Sequence, residues 1–132
     1  MTETSFTPVR QVMTPDPQVV DGLATVEAAM ALMRQRQISS LVIDKRHPGD
    51  EYGLVVVADI ASKVIGQDRA LERTNVYEIM SKPVISVEGG MDIKYAIRLL
   101  DRFGVSRALV LEQGRLVGLV TMRDMVLRHV ES

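Results

Sequence analysis

The chain has no cysteine and no tryptophan, and only three tyrosines, two phenylalanines and two histidines among 132 residues. Without cysteine there is no disulfide framework, no thiolate metal site and no cysteine nucleophile. So few aromatics leave no base-stacking platform. Sixteen Lys/Arg against seventeen Asp/Glu, interspersed to a net charge of −1, form no basic stripe that would neutralise a phosphate backbone. Both facts argue against nucleic acid as a partner. No apolar run approaches the ~20 residues that cross a bilayer, and Met1-Thr2-Glu3-Thr4-Ser5 is polar and acidic, unlike a secretory leader. A cytoplasmic protein with no membrane partner is expected. His47, beside Pro48, and His129 belong to no ligand-spaced cluster, so no metal is expected. The nucleophile elbow, the phosphate-binding Gly-Lys loop and the His-Glu-x-x-His helix are also missing. No catalytic residue is assigned, and the chain is not expected to be an enzyme.

What is present is an ordinary globular composition, 46% apolar and 25% charged, and an internal duplication. Sliding the chain by 67 residues lays Thr7 on Thr74, Val9 on Val76, Met13 on Met80, Val20 on Val87, Gly22 on Gly89, Ala29 on Ala96, Leu32 on Leu99 and Ser39 on Ser106. Past a loop two residues longer in the first copy the offset becomes 65, placing Gly53-Leu54-Val55 on Gly118-Leu119-Val120 and Asp59 on Asp124.

Each copy reads as helix, strand, helix, strand, strand, helix. Thr7-Pro8 and Thr74-Asn75 open a short first helix, with Pro8 suited to the first helical position. A Pro-containing extended segment follows, Pro15 to Val20 and Lys82 to Val87. Thr25 and Asp92 cap amphipathic helices whose apolar faces are Val26, Ala29, Met30, Met33 and Ile93, Ala96, Ile97, Leu100. Gln37 and Gly104 stand where a left-handed residue ends a helix. Two apolar runs then form a hairpin, Leu41–Ile43 with Tyr52–Val57 and Ala108–Leu111 with Leu116–Val120, before a closing helix near Asp59 or Asp124. Methionines such as Met30 and Met33 fall on the apolar stripe and read as core filler. Repeat boundaries of 7–65 and 76–132 with a linker at 66–75 follow. Units of that length are marginal alone, so the copies are expected to share a core.

Gly118-Leu119-Val120-Thr121-Met122-Arg123-Asp124 is a full match to the G-h-h-[S/T]-x-x-D signature (h, apolar) of cystathionine-β-synthase (CBS) repeats, which this chain resembles. Ile79-Met80-Ser81 and Gly104 to Val110 in one copy, and Val12-Met13-Thr14, Ile38 to Ile43 and Gly53 to Asp59 in the other, also resemble that family; the likeness covers about residues 7 to 128. It implies an α/β (α+β) fold of two pseudo-symmetric β-α-β-β-α repeats packed sheet to sheet as one CBS pair. It also implies a regulatory module, commonly a homodimer, that binds an adenosine ligand such as AMP, ADP or ATP, with NAD or S-adenosylmethionine as alternatives. No cofactor is required.

By the resemblance the signature Asp takes the ribose hydroxyls, and the Ser/Thr three residues before it lies near ribose and phosphate. A carboxylate accepts two charge-assisted hydrogen bonds from a vicinal diol, and phosphate is favoured at the start of the following helix. The main cleft is therefore assigned to Asp124, Thr121 and Arg107, the last at a position where relatives carry a basic phosphate ligand. Its adenine wall would be Thr14, Pro15, Val20, Ile38 and Ser39. A second cleft would use Asp59 with Ser81, Lys82, Pro83, Val105 and Ser106, but there Val56 replaces the hydroxyl and Ser40 replaces the arginine. The plainer readings stand beside these: both aspartates as acidic helix-start residues, Thr121 as a strand-end β-branched residue, Arg107 as a surface ion-pair partner. A ligand-independent dimerisation or assembly module, regulating a separate enzyme or transporter, is the alternative function.

Overall fold

A computed structural model describes residues 6–129. The fold is α/β, and the expected order of elements is present in both copies. Strands β1 (Thr14–Pro15) and β2 (Val19–Val20) precede helix α1 (Val26–Arg36); the hairpin β3 (Ser40–Ile43) and β4 (Gly53–Val56) leads into α2 (Val57–Ile60) and a continuing π-helical turn, Ala61–Ile65. The second copy supplies β5 (Ser86–Glu88), α3 (Ile93–Arg102), β6 (Arg107–Glu112), β7 (Arg115–Thr121) and α4 (Met122–Leu127). Local chemistry accounts for the boundaries. The Thr25 hydroxyl accepts from Ala28 N–H at 3.1 Å, and Asp92 Oδ1 accepts from Lys94 N–H at 3.3 Å, capping α1 and α3. Gln37 (φ 54°) and Gly104 (φ 66°) are left-handed after the two helices. Gln113 and Gly114, at φ 53° and 77°, turn the β6–β7 hairpin.

The two compact units of the molecule are not the two sequence copies. One, the split unit, comprises the chain up to Pro17 and from Ile85 onward; the other, the continuous unit, runs from Gln18 to Val84. Each unit thus takes its leading segment from the other repeat. In the split unit β1 adds antiparallel to the edge of β7, Thr14 opposite Leu119 and Pro15 opposite Gly118, giving the sheet order β1-β7-β6-β5. The continuous unit repeats this with a single bridge, Ser81 opposite Leu54, on the sheet β2-β3-β4. Backbone bonds are duplicated pair for pair. Val9 N–H donates to Met91 O (2.8 Å) as Val76 N–H does to Ala24 O (2.8 Å), and Ile93 N–H donates to Thr7 O (2.9 Å) as Val26 N–H does to Thr74 O (2.8 Å). The strand glycines make the exchange fit: Gly118 lies against Met13 and Gly53 against Met80, each too close for a Cβ.

Each unit has its own core, fully buried at Val9, Val12, Leu100, Val110 and Val120 in the split unit and at Val26, Val55, Val64 and Val76 in the continuous one. Val9 and Val76 come from the exchanged segments, so neither contiguous repeat carries its whole core.

Several local expectations are corrected. The leading helices are single 3₁₀ turns, Val9–Gln11 and Val76–Glu78. Pro8 is the N-cap rather than the first helical residue, and Thr7 caps nothing; its hydroxyl lies 3.4 Å from His129 Nδ1. Asn75, not Thr74, is the second cap, its N–H donating to Glu78 Oε2 at 2.8 Å while the Thr74 hydroxyl donates to Ala70 O at 2.7 Å. The extended run Pro15–Val20 is two strands in two sheets, because the chain passes from one unit to the other after Pro17. Val57 begins α2 instead of ending β4.

Candidate functional site

In the split unit the signature residues gather where β7 meets α4. Thr121 ends the strand in extended backbone and caps the helix, its Oγ1 accepting from Asp124 N–H at 2.9 Å. The oxygen is used as an acceptor, so the hydroxyl hydrogen remains to be donated to an incoming group. Arg107 stands directly across the hairpin from Thr121 in the β6–β7 register. Ser106 closes the corner, its carbonyl accepting from Met122 N–H at 2.8 Å. Asp124, half-buried, contacts Arg128 Nε through Oδ1 at 3.5 Å. A carboxylate acceptor with hydroxyl and guanidinium donors on adjoining elements suits a vicinal diol bearing a phosphate.

The continuous unit places the same backbone around a different set. Val56 has the backbone of Thr121 (φ −118°, ψ 163° against −117°, 160°) but no side-chain oxygen for the cap. Asp59 instead reaches back to the N-cap residue: its Oδ2 accepts from Val56 N–H at 2.9 Å, and its Oδ1 pairs with Lys63 Nζ at 3.2 Å. Both oxygens of Asp59 are thereby engaged within the protein. Ser40 faces Val56 where Arg107 faces Thr121.

Of the residues assigned to the main cleft, the structure brings Asp124, Thr121, Arg107, Thr14 and Pro15 into the split unit, the last two exposed on β1. Val20, Ile38 and Ser39 belong to the continuous unit, where the Ser39 carbonyl accepts from Val57 N–H at 3.0 Å at the start of α2. Of the second set, Asp59, Ser81, Lys82 and Pro83 share the continuous unit, whereas Val105 and Ser106 lie in the split unit. Lys82 Nζ is held by Asp50 Oδ1 at 2.7 Å. That bond, with the N–H groups of Arg46 and Glu51, keeps the Asp50 carboxyl far below the ordinary carboxylate range. Among the described residues no His, Asp and Glu group is arranged to hold a metal ion, and no helix is long and apolar enough to cross a membrane.

Two neighbours of the signature aspartates are not singled out by the sequence. Arg128 pairs with Asp124 and donates through Nη1 to the carbonyls of Val12 and Met13, both at 3.3 Å. At the matching place Lys63 pairs with Asp59 and donates to Ile79 O at 3.0 Å. A cation four residues after each signature aspartate therefore ties that aspartate to the exchanged leading segment. The recurrence of a base at the offset of 65 is visible in the sequence; its carbonyl partner is not.

The CBS domain family profile matches residues 9–66 and 76–130. An uncharacterized protein of Methanopyrus kandleri is 35% identical over 97 residues, 71% of this chain and 48% of that protein. The chain spans a little under half the length of that relative and of one from Thermofilum pendens (43%). The hexameric CBS-CP12 protein from bloom-forming cyanobacteria superposes with a TM-score of 0.88 at 30% identity, over 95% of this chain and 69% of that one. The CBS domain pair of a protein solved with 5′-methylthioadenosine and S-adenosyl-L-methionine superposes with a TM-score of 0.78 at 22% identity, over 92% of this chain and 94% of that one.

Proposed function

The chain belongs to the CBS domain family, and from that premise we propose that it is a regulatory sensor of an adenosine ligand of the AMP, ADP or ATP type, not an enzyme. The reading rests above all on the different employment of the two signature aspartates: Asp59 caps its own helix and pairs with Lys63, while at Asp124 the cap is supplied by Thr121 and the carboxylate keeps only a 3.5 Å contact to Arg128. Asp124 would take the ribose diol, Thr121 would donate to ribose or phosphate, and Arg107 would hold phosphate. Thr14 and Pro15, in the same unit, would contribute to the adenine wall. Asp59, with Ser81, Lys82 and Pro83 of the same unit, would be a weaker second site. Binding would shift a homodimer between two arrangements by its differential affinity for them, and a separate effector protein would read the change. The adenosine compounds in the structural relative support the ligand class.

The experiment is a thermal-shift series with AMP, ADP, ATP, NAD and S-adenosylmethionine. A ligand at about 100 times its Kd stabilises by ~2.7 kcal/mol. The expected result is stabilisation by at least one of them that Asp124→Ala removes; silence from all five, or an unchanged response in that variant, refutes the reading.

A second reading, ligand-independent assembly, is favoured by one observation. Val126 and Leu127 on α4 are 64% and 63% exposed, and Val57 and Ile65 of the continuous unit 51% and 58%. Apolar side chains so exposed suit a partner surface. Light scattering with and without AMP separates the two: a dimer indifferent to nucleotide supports assembly alone.

A further inference from the structure

The duplication makes each unit a control for the other, and at one place they differ in a way that opens a cavity. At the offset of 67 Arg10 matches Tyr77, Glu112 matches Lys45, and Gly89 matches Gly22. The backbones agree: Arg10 N–H donates to Gly89 O at 3.0 Å, and Tyr77 N–H to Gly22 O at 3.0 Å. In the split unit Arg10 Nε and Glu112 Oε1 pair at 3.1 Å, and the Glu112 carboxyl lies directly on Gly89, where a Cβ would collide with it. In the continuous unit Tyr77 and Lys45 cannot make that pair. Lys45 Nζ turns instead over the Tyr52 ring, 4.9 Å from its centre. No atom of residue 45 covers Gly22, and a cavity of about 630 Å³ is left. That volume lies within the range of small-molecule sites, ~300–1,000 Å³.

We propose that this cavity is a binding site for a small organic anion, a carboxylate or phosphate on a planar ring, whose charged group takes the position that the Glu112 carboxyl holds in the other unit. Three cations line it, Lys45, Arg46 and Lys82. Asp50, outside the lining, anchors two of them, Lys82 at 2.7 Å and Arg46 at 3.5 Å. The carboxylates on the wall, Asp21 and Asp44, are bound to backbone: Asp21 Oδ1 accepts from Leu23 N–H at 2.7 Å, and Asp44 Oδ1 from Lys45 N–H at 2.8 Å. Tyr77 and Leu23, 49% and 72% exposed, give the ring an apolar rim. The site stands apart from the signature aspartate of its own unit. The cavity lies beyond the end of β3 at Asp44, whereas α2, which carries Asp59, starts against the residue before β3 through the Ser39–Val57 bond.

The test is an amide-resolved NMR titration of the full chain with phenyl phosphate, with benzyl alcohol as the neutral counterpart. Saturable shifts centred on Gly22, Leu23, Lys45 and Tyr77 are expected, with affinity for phenyl phosphate at least about tenfold above that for benzyl alcohol. The double variant K45E/Y77R, which transplants the ion pair of the split unit, abolishes them; Lys82→Gln, which does not rely on the transplant, weakens them several-fold. Asp124→Ala leaves them unchanged, so this outcome is independent of the main adenosine cleft. Absence of saturation, equal binding of the alcohol, full affinity in Lys82→Gln, or loss in Asp124→Ala overturns the proposal.

Discussion

Replacing Gly118 by alanine tests the exchange of leading segments at its tightest point. A Cβ on Gly118 meets Met13 Sδ, Met13 Cγ at 3.0 Å and the Thr14 carbonyl oxygen at 3.0 Å. The methionine can swing aside, since its side chain has three rotatable bonds. The carbonyl cannot, because Thr14 is part of β1 and stands in register with Leu119. Overpacking of this kind costs about 1–3 kcal/mol, against which a glycine-to-alanine change recovers ~0.4–1 kcal/mol through the unfolded chain. A net loss of about 1–2 kcal/mol is expected. The partner position sets the scale: a Cβ on Gly53 meets Met80, with its Cγ at 3.2 Å, and Ile43 Cβ at 3.3 Å, so its three nearest neighbours are all side-chain atoms. Gly53→Ala should therefore lose less than Gly118→Ala. Urea unfolding reads both, as a shift in midpoint at constant slope. Gly118→Ala within about 0.5 kcal/mol of the parent, or Gly53→Ala the more damaging of the two, refutes the reasoning.

Other consequences follow from the same geometry. Arg128→Met removes an ion pair and two bonds to the carbonyls of Val12 and Met13; a loss of ~1–2 kcal/mol and faster amide exchange in 9–15 are expected, and unchanged exchange contradicts the tie. Val56→Thr should place a hydroxyl as Thr121 does, since the backbones match, and stabilise by about 0.5–1 kcal/mol; Thr121→Val should lose a similar amount, both read by calorimetry. Asp50 and Glu78 titrate below their ordinary values, Asp50 chiefly through its bond to Lys82 and Glu78 chiefly through the Asn75 N–H. Depressed folded values mean their stabilisation is present above the unfolded carboxylate range of about 4 and is lost as pH falls below it. Asp50→Asn should flatten the acid limb of a stability–pH curve, and an unaltered limb contradicts the assignment.

Much of this architecture is written in local chemistry. The helix stripes behind Thr25 and Asp92, the left-handed Gln37 and Gly104, and the Gln113-Gly114 turn each act within a few residues, so pattern alone finds them. The exchange is different. Thr14 meets Leu119 across more than a hundred residues, and no short-range preference encodes that pairing. Its trace is indirect: Gly53 and Gly118 weaken strands that β-branched residues would favour, which signals a backbone or side chain pressed close. The candidate site divides in the same way. Thr121 and Asp124 are legible from the signature and Arg107 from the family resemblance, while Arg128 acquires its meaning only from the carbonyls it reaches. The cavity at Gly22 lies where the copies mismatch, at Arg10 and Tyr77 and at Glu112 and Lys45, and a search for repeats passes over mismatches.

In the proposed function the signature carboxylate at 124 is left for a ligand while its twin at 59 serves the protein. Calorimetric titration of AMP into the parent chain, Asp124→Asn and Asp59→Asn tests it in one experiment. Saturable binding that disappears in Asp124→Asn and survives in Asp59→Asn is the predicted result. Binding that survives in Asp124→Asn, or falls only with Asp59→Asn, contradicts it.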